Sequence, residues 1–413
     1  MTTAAERDVL IVGAGHAAAM VAVGLRQKGF GGSILMVGEE AALPYERPPL
    51  SKTYLAGKLE PHRLFLRKAE FWQERAVEVR TQTTVTRLDP SARTATLSTG
   101  EAIRYGWCIL ATGGRVRPLP CPGAHLPGVH YLRTLVDVDG IRASLTPGAK
   151  LAVIGGGYIG LEVAASARKL GHEVTLIEAL DRVLARVTSP VVSRFFEAKH
   201  RAEGVDVRLN TAVAAIEGET RVTGVALACG EVIPADVVVV GIGILPNCEL
   251  AQDAGLACDN GIMVDDLCRT DDPHILAIGD VARHPNRYAP GGPVRLESVQ
   301  NAVDQAKTAV SVILGAPEPY ADLPWFWSDQ YDIKLQTAGL ALDYDEIIVR
   351  GTPDAAPFSV LYLRAGRVVA IDCINSIKDF MAGKKLVTAG LEPDRTLLCN
   401  PAFPLKDLMA VPA

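Results

Sequence analysis

The chain has 413 residues, 48% of them hydrophobic, which suits two or three buried cores at about 150 residues each and excludes a disordered chain. A formal net charge of −5, with no block of five or more like charges, disfavours an electrostatic binder of nucleic acid. The eight cysteines (108, 121, 229, 248, 258, 268, 373 and 399) include no C-x-x-C pair, so zinc and redox-disulfide spacings are missing and no metal site is expected. Scattered thiols of this kind read as those of a reduced, cytoplasmic protein. The short polar start, with Glu6, Arg7 and Asp8 before the first apolar run, reads as neither signal nor transit peptide. The run from Val9 to Leu25 is marginal in length for a membrane span and carries motif glycines, so no membrane association is expected.

In chain order, Val9 to Val12 predicts a buried parallel strand, followed at once by Gly13, Gly15 and the start of a helix. A strand ending in such a turn offers backbone N–H groups and the positive end of a helix dipole to a pyrophosphate. Ala18 takes the third motif position, where a small residue lets helix and strand pack closely. One such motif is weak. A second copy runs from Leu151 to Ala165 with Gly155, Gly157 and Gly160 in the same places. Each copy is followed by an apolar strand ending near an acid, Glu39 or Glu40 in the first and Glu178 in the second, at a distance suited to a ribose hydroxyl. Two nucleotides are therefore expected.

Between the copies, Leu43 to Gly57 carries three prolines and reads as a loop entering a helix, with Ser51 as its cap and Lys52 in its first turn. A cation gains nothing from the dipole there, so Lys52 either has an anionic neighbour or is an exposed surface lysine. Residues 77–99 read as β-hairpins or a meander. The strand in Tyr105–Gly114 ends in Ala111, Thr112 and Gly113, small residues that let backbone approach a cofactor, and Pro118, Pro120 and Pro122 mark a crossing. The stretch from Val237 to Asn247, with Gly243, is its counterpart in the second unit. Strand His274 to Ile278 then delivers Gly279 and Asp280 to the carboxyl end of a parallel sheet, where ligands bind; capping of the next helix is the competing role for Asp280. Arg295 to Gly315 predicts a helix whose start near Val299 points at the cofactor. From Trp325 the pattern changes to an antiparallel sheet and one or two helices over 376–391. The expected fold class is α/β, with two Rossmann-like dinucleotide-binding domains and a C-terminal α+β domain. Its segments are 1–115 and 245–324 for the first nucleotide, 116–244 for the second, and 325–413.

With GAGHAA, ATGG, GGGYIGLE, TDDPHILAIGD and WFWSDQYDIKLQ in this order, the chain resembles the FAD-dependent, NADH-using ferredoxin reductases of bacterial oxygenase systems over nearly its whole length. The resemblance implies the glutathione reductase fold. It also implies that FAD contacts Gly13, Gly15, His16, Ala17, Ala18, Glu39, Lys52, Val85, Arg133, Asp280 and Val299, with Trp327 backing the flavin ring. Core packing of the third domain is the competing role for Trp327. NADH would lie on Gly155, Gly157, Ile159 and Gly160, with Glu178 on the ribose, where it repels a 2′-phosphate; Arg182 and Arg186 complicate that preference. Tyr158 would cover the flavin face until nicotinamide displaces it, and Glu162 would pair with Lys52. Relatives with the same fold carry redox cysteines near the position of Lys52, so a thiol relay is excluded here.

What the resemblance implies for function is hydride transfer from NADH to FAD, then single electrons to a [2Fe–2S] ferredoxin that feeds a cytochrome P450 or Rieske-type oxygenase. An acidic ferredoxin would dock near Lys307, Lys384, Lys385 and Lys406. The rival readings are the same enzyme with rubredoxin, a quinone or monodehydroascorbate as acceptor, and a flavoprotein of the apoptosis-inducing-factor type.

Overall fold

The computed structural model describes residues 4–410 and divides into two compact units. One gathers the chain up to Glu46 with His62–Arg115 and Leu245–Pro324; the other gathers Arg47–Pro61, Val116–Ile244 and the chain from Trp325 onward.

In the first unit, Ala5–Val12 pairs in parallel with Ile34–Val37 on one side and Ala102–Leu110 on the other. Val77–Arg80 extends the sheet beyond the former and Ile275–Ala277 beyond the latter, so the parallel strand order reverses at the first strand. Continuous runs such as Val9–Val12 are what a sheet covered on both faces needs, and all four residues are buried. Val9 and Ile11 face His16–Gln27 and Val299–Ile313, while Leu10 and Val12 face a second cluster with Leu88, Leu97 and Leu256. The two helices touch at Gly24, where an added Cβ would lie 3.0 Å from Val310 Cγ2.

The second unit repeats that sheet. Val205–Arg208, Glu173–Ile177, Lys150–Ile154, Val237–Val240 and Val129–Tyr131 lie side by side, all parallel. The hydrogen bonds at the fingerprint repeat as well: Gly13 N donates to Val37 O and Gly155 N to Ile177 O, both at 2.8 Å. The same unit holds a five-stranded antiparallel sheet in the order Trp325–Gln330, Ile333–Gly339, Arg367–Ile374, Phe358–Arg364, Glu346–Gly351, covered by the helix Ile377–Ala389. Arg350 is 3% exposed and donates to the carbonyls of Leu398, Asn400 and Phe403, tying the C-terminal segment to the sheet.

Three local expectations are corrected and a fourth is narrowed. Val77–Arg80 is a parallel strand of the main sheet, and only Val85–Asp89 and Thr94–Leu97 form a hairpin. The helix after Arg295 begins at Val299, because Val294–Arg295 pairs as a strand and the Ser298 hydroxyl accepts from Asn301 N as an N-cap. A single helix, Ile377–Ala389, occupies 376–391, ended by Gly390 in the left-handed conformation. Finally, Ser51 caps nothing: Leu50–Tyr54 is a short π-helical segment entered from Pro49 and broken at Lys52, whose φ and ψ are −124° and −107°. No helix among the described residues is long and apolar enough to cross a membrane.

Candidate functional site

The glycines of the two fingerprints divide by what requires them. Gly13 and Gly155 have φ of +114° and +107°, and a Cβ there would stand 2.2 Å from Ala111 O and 2.4 Å from Gly241 O, so the turn itself demands glycine. A Cβ on Gly160 would stand 1.9 Å from Gly155 O; in the first copy Ala18 fits this position, fully buried. Gly15 and Gly157 are different. Their backbone is extended, which any residue adopts, a Cβ would meet nothing within 4 Å, and each sits at a helix N-cap with no side chain capping the helix. Neither conformation nor packing needs glycine there. The open ground in front of uncapped N–H groups is what a pyrophosphate needs, so the residues fit two dinucleotides.

In the first unit, His16 opens the helix with Nδ1 buried and lacking a hydrogen-bond partner, and burial pulls its imidazole below the usual range despite the nearby charge of Asp280. Gly279 lies against Ala17, and its N–H donates to Gln305 Oε1, placing Asp280 beside the fingerprint at the end of Ile275–Ala277. The choice between Glu39 and Glu40 follows from the register. Gly38 occupies the place that Glu178 holds in the second copy, and a Cβ on it would lie 2.4 Å from Ala14 Cβ, so the acid is displaced by one residue. Glu39 is exposed, whereas Glu40 accepts from Tyr45 Oη at 2.5 Å. Thr112 donates its hydroxyl to Asn247 O, leaving backbone as its contribution. Val85 begins its strand and Val299 its helix, both half-buried.

In the second unit, Glu178 accepts from Gly156 N at 2.6 Å and from Leu180 N at 2.8 Å, so the acid braces the loop it was expected to serve. Arg182 is committed to Thr188 O, Ser193 Oγ and Ala185 O. Arg186 is exposed and reaches to 4.0 Å from the Cβ position of Gly243. Ile159 is an exposed apolar residue, and the Tyr158 ring packs on Phe326 with centroids 4.6 Å apart. Arg133 is fixed at its backbone, where N donates to Asp137 and O accepts from Arg47.

The same unit brings together Lys52 and Glu162. Nζ lies 2.6 Å from Oε2 of a glutamate that is 3% exposed. Breaking a pair so deeply buried costs about 3–5 kcal/mol, because one charge is then left without its partner. Ser51 Oγ also donates to Oε2, at 2.5 Å, and Ser328 Oγ donates to Oε1 at 2.6 Å. Ser51 O in turn accepts from Ser166 Oγ, so the π-helical break is what turns both residues 51 and 52 toward one helix. Ser51 was expected only as a cap, and Ser328 and Phe326 were not singled out; alternation along WFWSDQ could have separated Phe326 and Ser328 from Trp325 and Trp327, but not said which face meets Glu162. Trp327 is half-buried, 5.5 Å from the Trp325 ring. Of the docking lysines, Lys385 and Lys406 are exposed, Lys384 lies over the Trp325 ring at 5.2 Å, and Lys307 pairs with Asp304.

The pyridine nucleotide-disulphide oxidoreductase family matches residues 7–306, and the reductase C-terminal family matches residues 325–409. The chain is 51% identical over 405 residues to the ferredoxin reductase subunit of 5,5′-dehydrodivanillate O-demethylase from Sphingobium sp., covering 98% of each. It is 44% identical to putidaredoxin reductase of Pseudomonas putida, covering 98% of this chain and 97% of that protein. It superposes with a TM-score of 0.95 and 44% identity on a chain of the covalent putidaredoxin reductase–putidaredoxin complex, over 98% of this chain and 99% of that one. The chain belongs to the pyridine nucleotide-disulphide oxidoreductases and, within them, to the FAD-dependent ferredoxin reductases that use NAD(P)H.

Proposed function

We propose that this protein is a cytoplasmic NADH:ferredoxin reductase, passing electrons from NADH through FAD to an acidic [2Fe–2S] ferredoxin of an oxygenase system. The observation that carries the proposal is the Lys52–Glu162 pair, 2.6 Å apart on a buried carboxylate, at the position where the resemblance implies a redox thiol in other members of the fold. Ferredoxin is the acceptor named for the Sphingobium relative, and the superposed complex pairs a reductase with putidaredoxin. When bound, FAD supplies a carrier that accepts a hydride and releases electrons singly. Gly13, Gly15, Ala18 and the uncapped helix at His16 would hold its pyrophosphate and Glu39 a ribose, with Asp280, Gly279 and the 111–113 backbone beside them; the resemblance adds Val85, Arg133, Val299 and Trp327 to the residues that would meet the rest of it. Lys52, paired with Glu162, would supply the positive charge that offsets the negative charge of a reduced flavin.

NADH rests on Gly155, Gly157, Ile159 and Gly160, with Arg186 and Gly243 at the loop opposite. Glu178 excludes a 2′-phosphate by charge, and Arg182, spent on three acceptors within its own loop, offers that phosphate nothing in return. Tyr158 stacks on Phe326 until nicotinamide takes its place. Around Lys384, Lys385 and Lys406 stand exposed Ile377, Met381 and Met409; an acidic partner is steered by the cations and seated on the apolar residues. The test is NADH-dependent reduction of ferredoxins encoded beside this gene, compared with rubredoxin and quinones at several ionic strengths. Ferredoxin reduction should be fastest and should slow as salt is added. Faster turnover of another acceptor refutes the partner, and a salt-independent rate refutes electrostatic docking.

A further inference from the structure

Glu162 has two oxygens and three donors, and they are not equivalent. Among the described residues, Oε2 takes Lys52 and Ser51, which are neighbours in sequence, while Oε1 takes only Ser328, delivered from the first strand of the C-terminal antiparallel sheet. The terminal torsion of a glutamate is broad and roughly two-fold. A carboxylate bonded at Oε2 alone is therefore free to swing about that contact, and of the two acceptors on the Lys52 ammonium only the Pro48 carbonyl, at 3.0 Å, then stays fixed. A donor on Oε1 removes the swing.

The proton of Ser328 has its direction fixed from behind. Gln330 Nε2 donates to Ser328 Oγ at 3.2 Å, which leaves the hydroxyl proton free to point only at Glu162. Gln330 Oε1 accepts from His200 Nε2 at 2.9 Å, and Tyr331 Oη donates to His200 Nδ1 at 3.3 Å. That tautomer follows from the amide oxygen, which can only accept. Burial pulls His200 down to about 4, so the ring is neutral and keeps one donor and one acceptor. Ser328, Gln330 and His200 are all buried, and every donor in the row from Tyr331 to Ser328 points toward Glu162.

We propose, building on the role proposed above for Lys52 toward the flavin, that Ser328 is a positioning residue for hydride transfer: its hydroxyl locks the Glu162 carboxylate so that Oε2 fixes the Lys52 ammonium. The C-terminal domain thereby reaches into the reductive half-reaction as well as offering a surface to the partner.

The test uses the FAD-loaded full-length protein under anaerobic stopped flow, with limiting rate and NADH affinity read separately, together with the flavin midpoint potential. A hydrogen bond to a charged group is strong enough that Ser328→Ala should lower the limiting rate about tenfold. The NADH dissociation constant should hold and the midpoint potential should fall. Adding Ser328→Ala to Glu162→Gln should change neither rate nor potential further, because the two act through one carboxylate. A lower melting temperature with rate and potential unchanged overturns the proposal, and so do additive effects in the double variant. Should Ser328→Ala fail to retain FAD, Ser328→Cys keeps the volume with a weak donor and is read the same way. Lys52→Met separates the two levels. If it leaves flavin reduction untouched, the assignment of Lys52 itself is wrong; if it slows reduction and Ser328→Ala does not, only the role of Ser328 falls.

Discussion

Asp372 offers a quantitative test of how the second unit is held together. It is 2% exposed, and no ion pair to it occurs among the described residues. Its Oδ2 accepts from Tyr362 Oη at 2.5 Å and from Thr188 Oγ1, while Ser189 N donates to Tyr362 Oη at 2.9 Å. The cluster thus fastens the turn before helix Pro190–Ala202 to the C-terminal sheet. Burial raises the Asp372 carboxyl from 3.8 to about 6, against the two hydroxyl bonds that lower it. The folded protein therefore holds this proton more tightly than the unfolded chain. Below about pH 4 the group adds no penalty; as pH rises from about 4 to 6 stability is lost, and at about 1.4 kcal/mol per pH unit the loss is about 3 kcal/mol. Asp372→Asn keeps an acceptor for the two hydroxyls and has no charge to bury. Whatever fixed cost the misplaced amide brings does not change with pH. Melting of the FAD-loaded variant and parent should be compared at steps from pH 4.5 to 8. The variant should gain several degrees relative to the parent across that range, most of it by pH 6.5. A difference that stays constant with pH would show that Asp372 is not ionising in the folded protein where its surroundings dictate.

Two further predictions concern the site. Lys52→Met, which keeps the aliphatic stem, should slow flavin reduction by NADH about 10²-fold with FAD content unchanged, read by stopped flow and the visible spectrum; an unchanged rate removes Lys52 from the chemistry. Gly157→Ala should fold and retain FAD, since nothing lies within 4 Å of the new methyl, yet raise the KM for NADH about tenfold or more by blocking backbone approach to its pyrophosphate. The matched Gly15→Ala should instead lose FAD. If the two variants behaved alike, the assignment of one nucleotide to each fingerprint would fail.

The residues that could be read from the sequence are those whose role is set by chain-local rules. Val9–Val12 and Leu151–Ile154 are apolar on both faces and followed at once by glycine, so strand, turn and helix follow with no knowledge of what surrounds them. Glu178 could be found by spacing, but its bonds to Gly156 and Leu180 could not, because they depend on where two strand ends meet. Ser51 looked like a cap by residue type and lost that role to tertiary structure, since Pro49 starts the segment and Glu162 takes the hydroxyl. Residues 295–298 carried a helical pattern, but Arg295 was taken with Val294 by a two-residue strand pairing with Ala282–His284, and Ser298 became the cap. In each failure a partner far along the chain decided the outcome.

The two fingerprints show how little must change for one backbone to hold two ligands differently. Strand register, turn glycines and bonds to the neighbouring strand coincide in both. Two of the positions that differ bear on the ligand: the residue after the second glycine and the residue just past the next strand. The first copy has His16, with a buried nitrogen awaiting a partner, and Gly38, which moves the acid outward to Glu39. The second has Tyr158, stacked on another ring, and Glu178, folded back onto its own loop. A buried polar atom without a partner is costly until a ligand satisfies it, which favours a cofactor that stays bound. A ring and a carboxylate already satisfied within the protein gain less from a ligand than an unpartnered atom does, which suits one that exchanges. One turn, written twice, thus suits a resident cofactor in the first unit and an exchanging one in the second.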